Sequence, residues 1–232
     1  MTSREHAVLR LALDLAILTV RDNALQVLTI TRGNAPFRSR PALPGGFLRD
    51  GEDLLAAAVR ELREETALDG EPMHLEQLSA YGAPERDPRG RVVSVAYLAI
   101  VPDPPDPEPG SDAASAAWMP VARVRGRLAF DHDQILDDAV ERVRSRLEFT
   151  TLATAFCGST FTIGDIRNVY EVVWGRALDP RNFNRKVINT VGFVEPTGQK
   201  RIPHLGRPAV LYRHGGQKAL NPPILRSHAA AA

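Results

Sequence analysis

The spacing of one short segment constrains this chain more than any other feature. From Gly46 it runs GFLRDGEDLLAAAVRELREETAL, with five residues between Gly46 and Glu52 and seven between Glu52 and Arg60. Leu54, Leu55, Ala58, Val59 and Leu62 recur at helical spacing, which predicts a helix beginning near Asp53. On such a helix Glu61 and Glu65 are four apart and Glu61 and Glu64 three apart, so their carboxylates share a face. Like charges this close repel one another. A hard divalent cation removes the conflict by taking oxygen ligands from several of them. A pyrophosphate bridged to that cation could be hydrolysed, with one glutamate activating water. RELREE by itself is common on solvated helix faces, where i,i+4 ion pairs account for it. Gly46 and Glu52 at these distances turn the reading towards a site.

The spacing resembles the Nudix box, G-x5-E-x7-R-E-U-x-E-E-x-G-U. That resemblance implies a loop–helix–loop that binds Mg2+ and the diphosphate of a nucleoside-diphosphate compound. Carried onto this sequence, it makes Glu61, Glu64 and Glu65 metal ligands, with Glu61 or Glu64 as catalytic base. Arg60 orients them, and Gly46 and Glu52 complete the ligand-binding loop. The chain departs from the pattern at Ala67, where glycine is expected. If the backbone there needs positive φ, alanine adds strain of about 1 kcal/mol, which puts turnover in question more than binding. Further on, ERDPRGRVVSVAYLAIV places Arg86, Arg89 and Arg91 around a turn. Guanidinium forks match phosphate oxygens, although ordinary turn charges account for each one equally well. This stretch and LAFDHDQIL, residues 128–136, are similar to Nudix proteins acting on ADP-ribose.

The first half alternates strand-like and helix-like segments. RLALDLAILTV and ALQVLTITR read as two strands joined at RDN, and RVVSVAYLAIV as a central strand. PDPPDPEPG must be loop. DHDQILDDAVERVRSRLEF reads as an amphipathic helix, with Asp131 placed to cap it. Charge then changes sign along the chain. Residues 149–232 hold 11 Lys and Arg against 4 Asp and Glu, a net +7, within a total of +1. Residues 1–148 therefore carry −6, and such asymmetry implies different partners for the two halves. No stretch approaches the roughly 18 apolar residues of a membrane span. The N-terminus also lacks a signal-peptide pattern. Cys157 is the single cysteine, so no internal disulfide can form, and a cytoplasmic location is expected. Nothing near Cys157 in sequence lowers its pKa, so it reads as a small buried residue rather than a nucleophile.

The basic half contains FTIGDIRNVYEVVWGRALDPRNFNRKVINTVGFVEPTG. Thr162 and Asp165 form a shortened capping box, and Ile163, Ile166, Val169, Tyr170, Val173 and Trp174 an apolar stripe that ends at Gly175. Asp179 caps a second helix with Pro180 in its first position. Phe183, Val187 and Ile188 are expected to face the core, and Gly192 to end the helix. Two short helices and a tight turn make a helix–turn–helix. Arg181, Asn182, Asn184, Arg185, Lys186 and Asn189 lie off the apolar face, and Arg and Asn are the side chains that pair with guanine and adenine edges. Two strands flanking the basic loop Gln199 to Arg207 read as a wing that carries Lys200, Arg201 and Arg207 onto DNA. A protein-interaction module is the competing reading.

Together the halves resemble the NrtR family of Nudix-related transcriptional regulators, with DPRNFNRKV and GRPAVLYR as the specific parts of the second. The resemblance implies an α+β protein: a Nudix α/β/α sandwich, residues 1–148, followed by a winged helix-turn-helix, residues 149–232. It implies a homodimeric repressor of NAD biosynthesis or salvage genes on double-stranded operator DNA. Its effector would be ADP-ribose or a related NAD-derived nucleotide, with Mg2+. The linker after the helix at 131–147 is the expected place for the conformational response. An active ADP-ribose pyrophosphatase with an accessory basic domain is the alternative.

Overall fold

The computed structural model describes residues 8–66, 74–107, 113–202 and 208–226. Ala67 and Arg207 lie outside these residues. Strands β1 (Arg10–Arg21) and β2 (Ala24–Arg32) form a hairpin. Its turn residues Asp22 and Asn23 have φ of 52° and 55°. Both residue types tolerate that region, and two such residues give the turn that matches strand twist. Then follow β3 (Pro41–Ala42), β4 (Gly45–Phe47), α1 (Leu54–Thr66), β5 (His74–Tyr81), β6 (Val92–Ile100), β7 (Ala113–Pro120), α2 (Val121–Val124) and α3 (His132–Phe149).

The sheet runs β3-β2-β1-β6-β5, with β4 also on β1 and β7 on β2. β1 and β6 are parallel and the other pairs antiparallel. β6 therefore lies inside the sheet, and its long apolar run is buried, as a strand covered on both faces requires. Alternation along β1 sends Leu13, Leu15 and Ile17 to one face, against Ala57, Ala58 and Leu62 of α1. Ala16 and Leu18 face the other way, in the core that holds Ile135, Ala139 and Val143 of α3. The result is an α/β/α sandwich. Leu55, expected on the buried stripe of α1, is 56% exposed. The stripe is centred on Ala57 and Ala58, and Leu55 falls beyond its edge.

The second half packs α4 (Ile163–Trp174) and α5 (Pro180–Asn189) beside the ribbon β8 (Val194–Arg201) and β9 (Ala209–His214). Its helix ends follow the expected local chemistry. The Asp165 amide donates to Thr162 Oγ1 at 3.1 Å, and the Thr162 amide returns a bond to Asp165 at 2.8 Å. Gly175 closes α4 with φ of 70°, a left-handed position that costs glycine nothing. Asp179 accepts the Asn182 amide at 2.7 Å.

Several expectations are corrected. α5 ends at Asn189 with Thr190 as its C-cap, before Gly192. Ile188 is 53% exposed, because the buried side of α5 is centred on Phe183 and Val187. Gln199, Lys200 and Arg201 belong to β8 rather than to the loop beyond it. Asp131 occupies the N-cap position of α3 but makes no capping bond, its carboxylate being taken by Arg86.

The segment expected as the linker is packed. After α3 the chain enters a 3₁₀ turn at Thr151–Phe156 whose residues are all buried. One apolar cluster runs from Ala16 through α3 to Val187 and Ile224. Polar bonds stitch α3 to α4: Tyr170 Oη donates to Leu147 O at 2.9 Å, and Arg144 Nε to Val173 O at 3.1 Å. Burial pushes the Cys157 thiol up to about 12, as expected of an inert residue. Among the described residues no helix is long and apolar enough to cross a membrane.

Candidate functional site

Three side-chain groups carry chemistry. The first surrounds Arg60 on α1. Its Nε and Nη2 donate to the two oxygens of Glu52 at 2.7 and 2.9 Å, and its Nη1 to Glu61 at 2.6 Å and Glu64 at 3.3 Å. Arg49 reaches Glu64 as well, at 3.2 Å. The Arg60 guanidinium, assisted by the Arg49 amide, draws the Glu52 carboxyl down to about 2. Gly46 sits against the buried Glu61, and a Cβ there would collide with the Glu61 carboxylate. Any larger residue at position 46 would therefore have to displace the Glu61 carboxylate, fifteen residues along the chain.

Among the described residues no cluster of three or more His, Cys, Asp or Glu side chains could hold a metal ion. Glu61 and Glu64 are already engaged by Arg60, and the Glu65 side chain lies outside the description. The described donors alone do not assemble a magnesium site.

The second group lines a cleft of about 290 Å³ where β1, the β4 loop, the turn before β6 and the start of α3 converge. Arg86 lies at its floor with 4% of its side chain exposed. It donates to Asp14 at 3.1 Å and through two nitrogens to Asp131 at 2.7 and 2.9 Å. Ser94 Oγ donates to Asp14 at 2.6 Å, and the Leu43 amide donates to His132 Nδ1 at 2.9 Å. His132 Nε2 stands 3.3 Å from Asp14. Burial alone would raise the Asp14 pKa; His132, Ser94 and Arg86 together outweigh it and bring it to about 2.

The mouth of the cleft is aromatic and cationic. Arg89 stands 5.4 Å from the ring centroids of Phe47 and Phe130, and Arg32 is 4.6 Å from that of Phe130. Arg89 also holds the buried Asp87 at 2.7 Å. Rings flanked by guanidinium groups suit a flat base attached to anionic phosphates.

Of the residues expected here, Gly46, Arg86 and Arg89 line the cleft. Glu52 is turned to Arg60, and Arg91 is exposed, donating to Gly82 O at 2.6 Å. Asp14, Phe47, Phe130, His132 and Arg32 were not singled out. Asp14 had a signal: it is a lone carboxylate inside an apolar strand, which demands a partner. Phe130 and His132 lay within LAFDHDQIL without being assigned roles.

The third group is on α5 and the ribbon. Arg181, Asn182, Asn184, Arg185 and Asn189 are exposed and Lys186 half-buried, all off the Phe183–Val187 face. Arg185 donates to Asn182 at 3.0 Å. Lys200 and Arg201 are exposed on β8, and Arg201 reaches Asp165 at 2.9 Å.

A Nudix sandwich with a basic winged helix packed on its last helix defines the class: a nucleotide-binding fold joined to a nucleic-acid-binding one. Comparison with known proteins agrees for each half. The NUDIX domain model matches residues 11–139, and the NrtR DNA-binding winged helix domain model matches residues 154–214. The chain is 35% identical to the ADPR responsive transcriptional repressor NtrR of Acinetobacter baylyi, over 88% of this chain and 81% of that protein. It superposes on Shewanella oneidensis NrtR complexed with a 27mer DNA with a TM-score of 0.75 and 31% identity, covering 90% and 96% of the two chains. The NUDIX domain of that protein complexed with ADP ribose matches with a TM-score of 0.55 and 33% identity, over 62% of this chain and 94% of that one. The chain belongs to the NrtR family of DNA-binding, ligand-responsive regulators.

Proposed function

We propose that this protein represses NAD biosynthesis or salvage genes, with ADP-ribose or a related NAD-derived nucleotide in the cleft as effector. Residues 1–148 form the sensing part and 149–232 the DNA-binding part. The observation that carries the reading is the placement of α3. Its first turn, with Asp131 and His132, closes the floor of the cleft. Its last turns are bonded to α4 through Leu147 and Arg144. A ligand that favours one arrangement of the Arg86–Asp131 pair biases the packing of α3, and with it the orientation of α5. Such a ligand acts only through different affinities for the two arrangements.

In this reading Gly46, Arg89, Phe47 and Phe130 surround the nucleotide, while Arg86 and Glu52 hold neighbouring groups in place. Arg181, Asn182, Asn184, Arg185, Lys186 and Asn189 face the major groove, and Lys200, Arg201 and Arg207 flank it. A homodimer places two copies of α5 about 34 Å apart on a roughly palindromic operator.

The test is a gel shift with DNA upstream of NAD-synthesis genes, with and without ADP-ribose. The expected result is preferential binding whose apparent Kd changes at least about five-fold with the nucleotide. Equal binding to unrelated DNA, indifferent to ADP-ribose, overturns the proposal.

A second reading, ADP-ribose pyrophosphatase, is favoured by the grouping of Glu52, Glu61 and Glu64 around Arg60. It expects AMP and ribose 5-phosphate at ordinary enzyme rates when the protein is incubated with ADP-ribose and Mg2+. That reading requires Glu61 and Glu64 to exchange Arg60 for a metal shared with Glu65, and loss of product in Glu61→Gln with ADP-ribose still bound would assign a catalytic role to Glu61.

A further inference from the structure

Residues 181, 184, 185 and 188 of α5 stand at i, i+3, i+4 and i+7 and so form one stripe along the helix. Arg181, Asn184 and Arg185 are exposed. Ile188 completes the stripe and is 53% exposed, while Phe183 and Val187 on the opposite side are 4% and 0% exposed. Ile188 joins neither apolar cluster of the described residues. Single exposed apolar side chains are ordinary on a protein surface. This one stands among three side chains whose donors suit base edges. The major groove offers one apolar group to such a side chain, the 5-methyl of thymine, which cytosine, guanine and adenine lack.

We infer that Ile188 is a specificity-determining residue that reads a thymine by covering its methyl group. The inference rests on the DNA-binding reading and deepens it. Arg181 and Asn184 have no hydrogen bond or ion pair among the described residues, so their polar ends are free for neighbouring purines. A thymine next to a guanine or adenine is the element this stripe fits. Its neighbour Arg185 is held by Asn182 at 3.0 Å, which fixes one border of the apolar contact.

The experiment uses the full-length chain throughout. Duplexes that it selects from a randomised library are resynthesised with each thymine in turn replaced by deoxyuridine, and affinity is read by fluorescence anisotropy. One position per half-site is expected to lose about four-fold, the worth of one buried methyl group. Ile188→Ala should bind the parent duplex about four-fold more weakly and be indifferent to deoxyuridine at that same position. A flat deoxyuridine profile for the native chain overturns the assignment without any variant. An unchanged profile in a folded Ile188→Ala overturns it too. If the chain selects no sequence at all, the DNA-binding reading itself falls, and Ile188 with it.

Discussion

In the cleft, Arg86 has 4% of its side chain exposed and two carboxylates within 3.1 Å. On α5, Arg181 is exposed and has no anion in reach among the described residues. The guanidinium fork nominates both for phosphate or base recognition. The fold separates them. Arg86 neutralises Asp14 within β1 and Asp131 at the start of α3, and so holds the first half of the chain together. Arg181 has no carboxylate to neutralise among the described residues, which leaves it ready for a polyanion. Arg89 is intermediate: it pairs with Asp87 yet keeps 37% of its side chain exposed at the cleft mouth. Residue type therefore nominates a ligand contact, and the local counter-charge decides whether that contact is available.

This contrast can be broken most directly by Arg86→Met. Removing one partner from a buried ionic group leaves charges unpaired, and the expected loss of stability is about 3–5 kcal/mol in urea unfolding. Arg181→Met should stay within about 0.5 kcal/mol in the same measurement. Comparable small losses for both would return Arg86 to the role of a dispensable ligand contact.

A smaller effect is expected from pH. The folded Asp14 pKa of about 2 lies below its ordinary 3.8. Its contribution is therefore fully present above pH 4 and disappears as pH falls through 2. That contribution is about 2 kcal/mol. Asp14→Asn should flatten this part of the stability profile between pH 4 and pH 2; an unchanged profile would mean the carboxylate is not held by its neighbours as described.

The smallest effect sharpens the α5 side. Lys186→Ala should weaken DNA binding by a similar factor on all sequences and reduce the slope of log affinity against log salt by about one. The same measurement on Arg49→Ala, at the acidic cluster of α1, should leave the slope unchanged. A slope that moves equally in both variants would deny α5 its special place on DNA.

What could be read before the fold was known is local. The hairpin turn at Asp22-Asn23, the capping box at Thr162 and Asp165, Asp179 before Pro180, and Arg60 among its glutamates each depend on residues a few positions apart. The cleft floor was not legible in that way. Arg86 lies 72 residues from Asp14 and 45 from Asp131, and only the parallel pairing of β1 with β6 and the docking of α3 bring them together. Asp131 illustrates the cost: helix chemistry alone makes it a cap, yet a buried guanidinium takes its carboxylate first. Ile188 illustrates the same limit, since helical periodicity says which residues share a face but not how wide the buried face is.

By itself the amino-acid order determined the individual strands and helices, the charge division between the two halves, the acidic spacing around Arg60 and the ends of several helices. These follow from backbone geometry and from interactions that close within one or two helical turns. Tertiary structure decided which arginines are occupied, where the cleft lies, that the segment after α3 is a buried turn, and that Ile188 faces outwards. Each of those depends on desolvation and on counter-charges from distant segments, and neither exists until the chain has packed.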